Sequence, residues 1–304
     1  MSAKPLSRAE LKEALVERLP EDHKGVYGHV LVVAGSRGMA GAAILAARGA
    51  LRSGAGLVTV ASPLGVAAIV AGAVPSAMTV ALPENASGVF RPDGVEKLKR
   101  YAADHKVTSL AVGPGLTTHG DAARFVLHTL SGVLVPAVVD ADALNILAGQ
   151  EPEGVTQLLK SRKQACVFTP HPKEMSRILR SARAEGDTAR MKSVERLARD
   201  WGGVVLLKGN KTLISSGLRT VVNTTGSAAL AKAGSGDVLT GLIAGLWAQM
   251  LASGRVSGDL AFRAAGLGAW LHGAAGEAAE KELTAYAATS TDLVDYLPRA
   301  FASL

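Results

Sequence analysis

The clearest indication of the fold comes from Gly28–Ser62, GHVLVVAGSRGMAGAAILAARGALRSGAGLVTVAS. It begins with a run of apolar, mostly β-branched residues, continues through a glycine-rich turn and an alanine-rich helical pattern, and ends in a second β-branched run. Such runs are typical of strands buried on both faces, and a helix between two of them predicts a parallel pair. The small residues Ala42, Ala43, Ala46 and Ala47 allow the helix to pack tightly on the sheet. The stretch therefore predicts an α/β fold.

The same alternation of short apolar runs and helical patterns continues along the chain. Two later runs, TLISS and LRTVVN, indicate a hairpin around Gly217, and the pattern after it is wholly helical. Together these patterns predict a three-layer α/β/α fold, in which a central, mostly parallel sheet carries helices on both faces. Residues 26–304 contain no linker-like segment, so we expect a single domain there, preceded by an N-terminal extension at residues 1–25.

Composition narrows the classes of function. The formal net charge is +7, but the basic residues are dispersed, so we predict no nucleic-acid partner. The single cysteine, Cys166, excludes an intramolecular disulfide, and its apolar surroundings indicate a packing role in a cytoplasmic protein. The uncharged segment Ser53–Pro83 is interrupted by glycine and proline, so we expect short buried strands there and no membrane span.

The segment Lys232–Gly241, KAGSGDVLTG, carries the strongest functional signal. Gly234 and Gly236 permit a backbone conformation and a close ligand approach that a side chain would prevent. Helical spacing of apolar residues begins directly afterwards, so the N–H groups and the dipole of a helix start form a site for anions. Asp237 lies in the first turn of that helix, where it is either a structural cap or, as we favour, a functional carboxylate.

A carboxylate beside an anion site has the chemistry that phosphoryl transfer to an alcohol requires. Main-chain N–H groups hold the phosphoryl group, and the carboxylate accepts the hydroxyl proton. The sequence contains no GxxxxGK[ST] pattern, which excludes a P-loop enzyme. We therefore predict an enzyme that binds a nucleotide polyphosphate and uses Asp237 as its base.

Other polar residues follow predicted strands, where α/β sheets bind their ligands. In TPHPKEM, two prolines hold His171 in place, and Glu174 could contact Mg²⁺ through water, unless the segment is a plain strand-to-helix turn. Lys208 could neutralise phosphate or be a solvated lysine. Asp142 is expected to cap the next helix, whereas Asp140 could face the pocket. The remaining histidines show no metal-ligand spacing and are expected to be structural or exposed: His23, His29, His105, His119, His128 and His272.

These segments, in this order, resemble the ADP-dependent NAD(P)H-hydrate dehydratase family, a branch of the ribokinase-like fold. The resemblance covers nearly the whole chain after the first two dozen residues. It is carried by HKGVYGHVLVVAGS, GAAILAARGALRSGAGLVTVA, PSAMTVALP, AVGPGL, VVDADALNIL, TPHPKEM, LLKGNKT, AKAGSGDVLTG and STDLVDYLP. Two positions depart from the family: Lys173 replaces the glycine of HPGEM, and TTGSAAL stands where a TGN-type segment is common.

The resemblance implies a lyase that repairs hydrated NADH and NADPH. ADP would phosphorylate the ring hydroxyl of the S epimer, with Mg²⁺ as cofactor, and loss of phosphate would give NAD(P)H and AMP. Asp237 would be the base and would contact the hydrated dinucleotide together with Ala42, Gly115 and His171. The residues implied for the nucleotide are Lys208, Gly209, Asn210, Lys211, Thr212, Ser227, Ala228, Ala229, Leu230, Ala231, Lys232, Ala233, Gly234, Ser235 and Gly236.

The resemblance also implies a homo-oligomer, a tetramer by family, and a separate NAD(P)H-hydrate epimerase as functional partner. Two alternatives stay open: a ribokinase-like kinase that keeps its phosphorylated product, and a nucleotide-binding protein without turnover. The full run of matching segments favours the dehydratase over the kinase, and an intact Asp237 in GSGD argues against a protein without turnover.

Overall fold

A computed structural model describes residues 3–118 and 120–304 of the chain. Within these residues ten strands form one sheet. In chain order the strands are Lys4–Pro5 (β1), His29–Val33 (β2), Leu57–Pro63 (β3), Met78–Leu82 (β4), Ser109–Val112 (β5), Ala137–Val139 (β6), Cys166–Phe168 (β7), Val204–Leu207 (β8), Leu213–Ser215 (β9) and Thr220–Val222 (β10). Their order across the sheet is β1-β10-β9-β8-β7-β6-β5-β2-β3-β4.

The sheet is mostly parallel, as the sequence predicts. All strands from β4 across to β8 run parallel to their neighbours. Strands β9 and β10 pair antiparallel, which confirms the hairpin around Gly217. The N-terminal strand β1 pairs parallel with β10 and was not predicted, because two residues form no periodic pattern.

Helices cover both faces of the sheet. In chain order the α-helices are Arg8–Glu13 (α1), Ala40–Arg52 (α2), Leu64–Ala73 (α3), Gly94–Asp104 (α4), Asp121–Gly132 (α5), Ala141–Ala148 (α6), Pro152–Ser161 (α7), Pro172–Ile178 (α8), Gly186–Trp201 (α9), Ser235–Ser253 (α10), Leu260–Ala287 (α11) and Ser290–Ser303 (α12). Short 3-10 helices span Lys24–Tyr27 and Ala228–Leu230.

Each face of the sheet packs against its helices in a large hydrophobic core. Because side chains alternate along a strand, Val30 and Val32 of β2 pack in one core with α2, α10 and α11. Leu31 and Val33 of the same strand pack in the other core with α4, α5, α6 and α9. The predicted three-layer α/β/α architecture is confirmed.

The uncharged segment Ser53–Pro83 contains the helix α3 as well as the two expected strands. Its sequence, LGVAAIVAGA, is apolar throughout and gives no helical periodicity, so the helix was missed. In the part of the chain that is described, no helix is both long and apolar enough to cross a membrane. Cys166 is buried, as expected. The expectation for His119 lies outside the described residues, and the division at residue 25 stays a prediction.

The contact between α2 and α10 is close enough to predict a stability effect. A Cβ built on Gly241 would overlap the backbone oxygen of Ala46. We therefore expect Gly241→Ala to lower the free energy of unfolding by about 1 to 3 kcal/mol, measured by urea denaturation. The control is Gly154→Ala in α7, where, among the described residues, a Cβ would meet no atom within 4 Å beyond its chain neighbours and the backbone of its own helix. Equal destabilisation by the two variants would contradict the prediction.

Candidate active site

Parallel strands bring their carboxyl ends to one edge of the sheet, and hydrogen bonds join the turns that follow them. The Ser36 hydroxyl donates to the backbone oxygen of Gly115 at 2.8 Å. The backbone N–H of Lys208 donates to the oxygen of Pro170 at 2.9 Å. Ligands of open α/β sheets bind at this edge, and most of the residues predicted for the site lie along it.

The glycine-rich loop before α10 is held firmly in place. The helix begins at Ser235, after Gly234 in the left-handed conformation with φ of 88°. The Nε2 atom of His272 lies 2.9 Å from the backbone oxygen of Ser235 and 3.1 Å from its hydroxyl oxygen, and burial lowers the pKa of His272 to about 4, so a neutral imidazole holds Ser235. The Ser290 hydroxyl donates to the oxygen of Ala233 at 2.5 Å. Sequence analysis missed the contact of His272, because the small apolar residues around it in α11 give no sign of a role.

Asp237 lies in the first turn of α10, as predicted, with its side chain partly exposed. Burial raises the pKa of Asp237 to about 7, the negative charge of Asp140 adds to the increase, and the positive charge of Lys208 opposes it. A carboxylate with a pKa near neutrality accepts a proton more readily than one in water. Asp237 therefore has the protonation chemistry of a general base.

Lys208 forms an ion pair at the centre of this edge. Its ammonium lies 2.7 Å from Oδ1 of Asp140, and the two side chains are 20% and 1% exposed. The Thr240 hydroxyl of α10 donates to Oδ2 of the same carboxylate at 2.6 Å. Burial acts to lower the pKa of Lys208, but the charges of Asp140, Glu174 and Asp237 outweigh it and raise that pKa. Lys208 thus stays a cation within the site, and the solvated-lysine interpretation is wrong.

The two segments predicted to bind a nucleotide meet at this cation. A Cβ built on Gly236 would lie 3.3 Å from the Lys208 ammonium, so the ammonium lies directly against the first turn of α10. Gly209, Asn210 and Lys211 of the turn after β8 are exposed. The side chain of Lys232 points elsewhere and donates to the backbone oxygen of Tyr286 at 2.6 Å.

Two of the residues predicted to contact a substrate are neighbours. A Cβ built on Gly115 would lie 2.9 Å from the Cβ of Ala42, so the turn after β5 and the start of α2 nearly touch. Gly115 also has a φ of 65°, which favours glycine. A larger side chain at either position would fill the space between these two elements.

His171 and Glu174 start α8 together. The Nδ1 atom of His171 accepts hydrogen bonds from the backbone N–H groups of Lys173 and Glu174, and the Glu174 carboxylate accepts one from the backbone N–H of His171 at 2.8 Å. Burial raises the pKa of Glu174 to about 7 and lowers that of His171. These are the contacts of a strand-to-helix turn, and the magnesium contact of Glu174 stays a prediction. Over residues 3–118 and 120–304, no three His, Cys, Asp or Glu side chains gather in a way that could hold a metal ion.

The prediction that Asp142 caps α6 is wrong. Asp140 occupies the cap position of this helix. Asp142 instead accepts a hydrogen bond from the backbone N–H of Thr117 at 2.9 Å. Because Thr117 follows β5, this bond joins two neighbouring turns of the edge.

The arrangement of the sheet and the position of this edge define a ribokinase-like fold. A solved ribokinase-like superfamily protein from Enterococcus faecalis superposes with a TM-score of 0.76, 22% sequence identity, and coverage of 99% of this chain and 95% of that one. This likeness establishes the fold.

The sequence profile described as NAD(P)H-hydrate dehydratase matches residues 30–299, and the chain belongs to that family. It is 43% identical over 300 residues to the bifunctional NAD(P)H-hydrate repair enzyme Nnr of Moorella thermoacetica, covering 98% of this chain and 54% of the relative. It is 37% identical over 266 residues to the ADP-dependent (S)-NAD(P)H-hydrate dehydratase of Neisseria meningitidis, covering 86% and 80%.

A solved structure agrees with these relatives. The ADP/ATP-dependent NAD(P)H-hydrate dehydratase from Bacillus subtilis, co-crystallized with ATP/Mg²⁺, superposes with a TM-score of 0.81 and 31% identity over 100% of this chain and 99% of that one. The chain spans about half the length of the bifunctional Nnr relatives that it matches.

Proposed function

We propose that this chain catalyses the ADP-dependent dehydration of the S epimer of hydrated NADH and NADPH. The observation that carries the proposal is the position of Asp237: a partly buried carboxylate with a pKa of about 7, in the first turn of α10 and beside the Asp140–Lys208 pair. The relative from Neisseria meningitidis, 37% identical, is named for this reaction.

In the proposed reaction Asp237 accepts the proton of the ring hydroxyl. The hydroxyl oxygen forms a bond to the terminal phosphorus of ADP, and the bond from that phosphorus to the AMP oxygen breaks. The ring nitrogen then donates its lone pair as the carbon–oxygen bond breaks and phosphate leaves. Loss of a proton from the neighbouring ring carbon gives NAD(P)H, AMP and phosphate.

The nucleotide would lie along the segments 208–212 and 227–236. The free N–H groups at the start of α10 and the Lys208 ammonium provide positive charge for its phosphates. Mg²⁺ is held in many such sites by one or two carboxylates, by water and by the phosphates themselves. In this mode of binding Glu174, at the start of α8, would contact the ion through water. Ala42, Gly115 and His171, which lie at the same edge of the sheet, would contact the hydrated dinucleotide.

We further propose that residues 26–304 form the catalytic domain and act in the cytoplasm as a homo-oligomer, a tetramer by family. The Nnr relatives are named bifunctional repair enzymes. An NAD(P)H-hydrate epimerase is therefore the proposed functional partner, since a catalyst specific for one epimer leaves the other unrepaired.

The test is to incubate the purified protein with hydrated NADH, ADP and Mg²⁺ and to follow near-UV absorbance and AMP. We expect the absorbance of the reduced nicotinamide to return with one AMP released for each NADH formed. A stable phosphorylated product without this absorbance would instead indicate a kinase, and bound ADP without any product would indicate a nucleotide-binding protein.

A further inference from the structure

The side chain of Asp140 does not cap the helix α6, although the residue stands at its N-cap position. It occupies the N-cap position of α6, where an aspartate ordinarily accepts a hydrogen bond from the first turn of its own helix. No such side-chain bond is present, and the next residue, Ala141, has a φ of 48°, which is unfavourable for a residue with a Cβ. The chain thus lacks a local stabilising contact at Asp140 and has backbone strain at Ala141, a combination that is typical of functional sites.

The carboxylate of Asp140 instead joins three elements. Oδ1 accepts from the Lys208 ammonium after β8 at 2.7 Å, and Oδ2 accepts from the Thr240 hydroxyl in α10 at 2.6 Å. Its backbone is held against β5 as well, because the backbone N–H of Asp140 donates to the oxygen of Val112 at 3.1 Å, and a Cβ built on Gly113 would overlap the Asp140 oxygen. One almost fully buried carboxylate therefore sets the position of Lys208 relative to the first turns of α10.

Lys208 keeps donors for a ligand. Of the residues that the structure describes, only Asp140 is within hydrogen-bonding distance of its ammonium, which carries three N–H donors. The ammonium lies against Gly236, one residue before Asp237. Its unused donors are thus available to phosphate oxygens next to the proposed base.

We propose that Asp140, supported by Thr240, is a positioning residue that holds the Lys208 ammonium between the anion site at Gly236 and the carboxylate of Asp237. This inference rests on the proposed function for its catalytic meaning. Asp140 touches neither substrate nor nucleotide in this arrangement and acts through Lys208 and through its own negative charge. The other titratable groups near the pair are Asp237 on α10, Asp142 on α6, His171 and Glu174 on α8, and His272 on α11.

The variant Asp140→Asn keeps the shape of the side chain and removes its charge. The substitution should lower the pKa of Asp237 for two reasons. The negative charge of Asp140 is lost, and the positive charge of Lys208 is no longer neutralised by it. We expect the acid limb of the pH profile of kcat/KM to move to lower pH by on the order of one unit. We also expect kcat to fall on the order of a hundredfold, because the ammonium is no longer held in place. The matched control is Asp104→Asn, at an exposed carboxylate in α4.

The variant Thr240→Val tests the positioning of Asp140 without removing its charge, and Lys208 keeps its ion-pair partner. It removes the hydroxyl and keeps the ion pair, so kcat should fall about tenfold while the acid limb stays where it is. If Asp140→Asn does not fold, unchanged kcat in Thr240→Val overturns the proposal by itself. An Asp140→Asn enzyme that loses kcat without any movement of the acid limb shows a structural role only, and overturns it too.

A measurement without turnover separates this inference from the proposed function. Carbon-13 NMR titration of the Asp237 carboxyl, in the wild type and in Asp140→Asn, should show the midpoint shifted to lower pH in the variant. If the wild type does not dehydrate hydrated NADH, the proposed function fails, and the titration still decides the coupling between Asp140 and Asp237. If the wild type turns over and the midpoint does not shift, the inference fails and the function stands.

Discussion

Asp237→Asn is expected to reduce turnover of hydrated NADH by about a hundred- to ten-thousandfold, the usual contribution of a positioned general base. Asparagine has nearly the same shape and cannot accept the hydroxyl proton. The anion site depends on main-chain N–H groups and on Lys208, both of which the substitution leaves in place. ADP affinity, measured by calorimetry, should therefore change little.

A matched control is available at another helix start. Asp259 caps α11, its carboxylate accepting from the backbone N–H of Phe262 at 3.0 Å, and Asp259→Asn should leave turnover near the wild-type value. The fold itself should not suffer in Asp237→Asn. The pKa of Asp237 is raised in the folded state, so its negative charge opposes folding once the pH exceeds the unfolded value, and the variant should be at least as stable at about pH 8. Unchanged turnover in Asp237→Asn would remove Asp237 from the proposed reaction.

Sequence analysis predicted the parts of the fold that show a hydrophobic periodicity or are bounded by glycine and proline. The β-branched runs of the strands and the glycines between them mark the sheet and its carboxyl edge, which is why Asp237, Lys208 and His171 were all expected to follow strands or open a helix. The helix α3 shows no such periodicity. Its ten residues are uniformly apolar, and a helix without a polar side has no detectable periodicity.

The contacts within the site depend on tertiary structure that the sequence does not display. Asp140 and Asp142 are both acidic residues near the start of α6, and local rules alone favoured Asp142 as the cap. The partners that decide otherwise, Lys208 and Thr240, are 68 and 100 residues away from Asp140 in the chain. The signal that could have identified Asp140 is its place at the very end of a buried strand, where a charge requires a partner.

Turnover should fall steeply at acid pH because of the raised pKa of Asp237. If Asp237 is the base, its carboxyl must be deprotonated in the complex that reacts, and its pKa is about 7. We therefore expect kcat/KM to be constant above this pH and to fall about tenfold for each unit below it, so that at about pH 5 only on the order of one hundredth of the activity remains. For an aspartate with its ordinary pKa, the decline would begin near pH 4.

The terminal phosphate of ADP also titrates close to neutrality, so the limb must be assigned to the protein. The residual turnover of Asp237→Asn is the control, since it retains ADP and lacks the carboxyl group. We expect this residual rate to show no acid limb between about pH 5 and 8. A limb that persists in the variant would belong to the nucleotide or to another group such as Glu174, whose pKa is also about 7. The pH profiles of the wild type and of Asp237→Asn distinguish these two outcomes. ADP affinity, measured at each pH, separates binding from the chemical step.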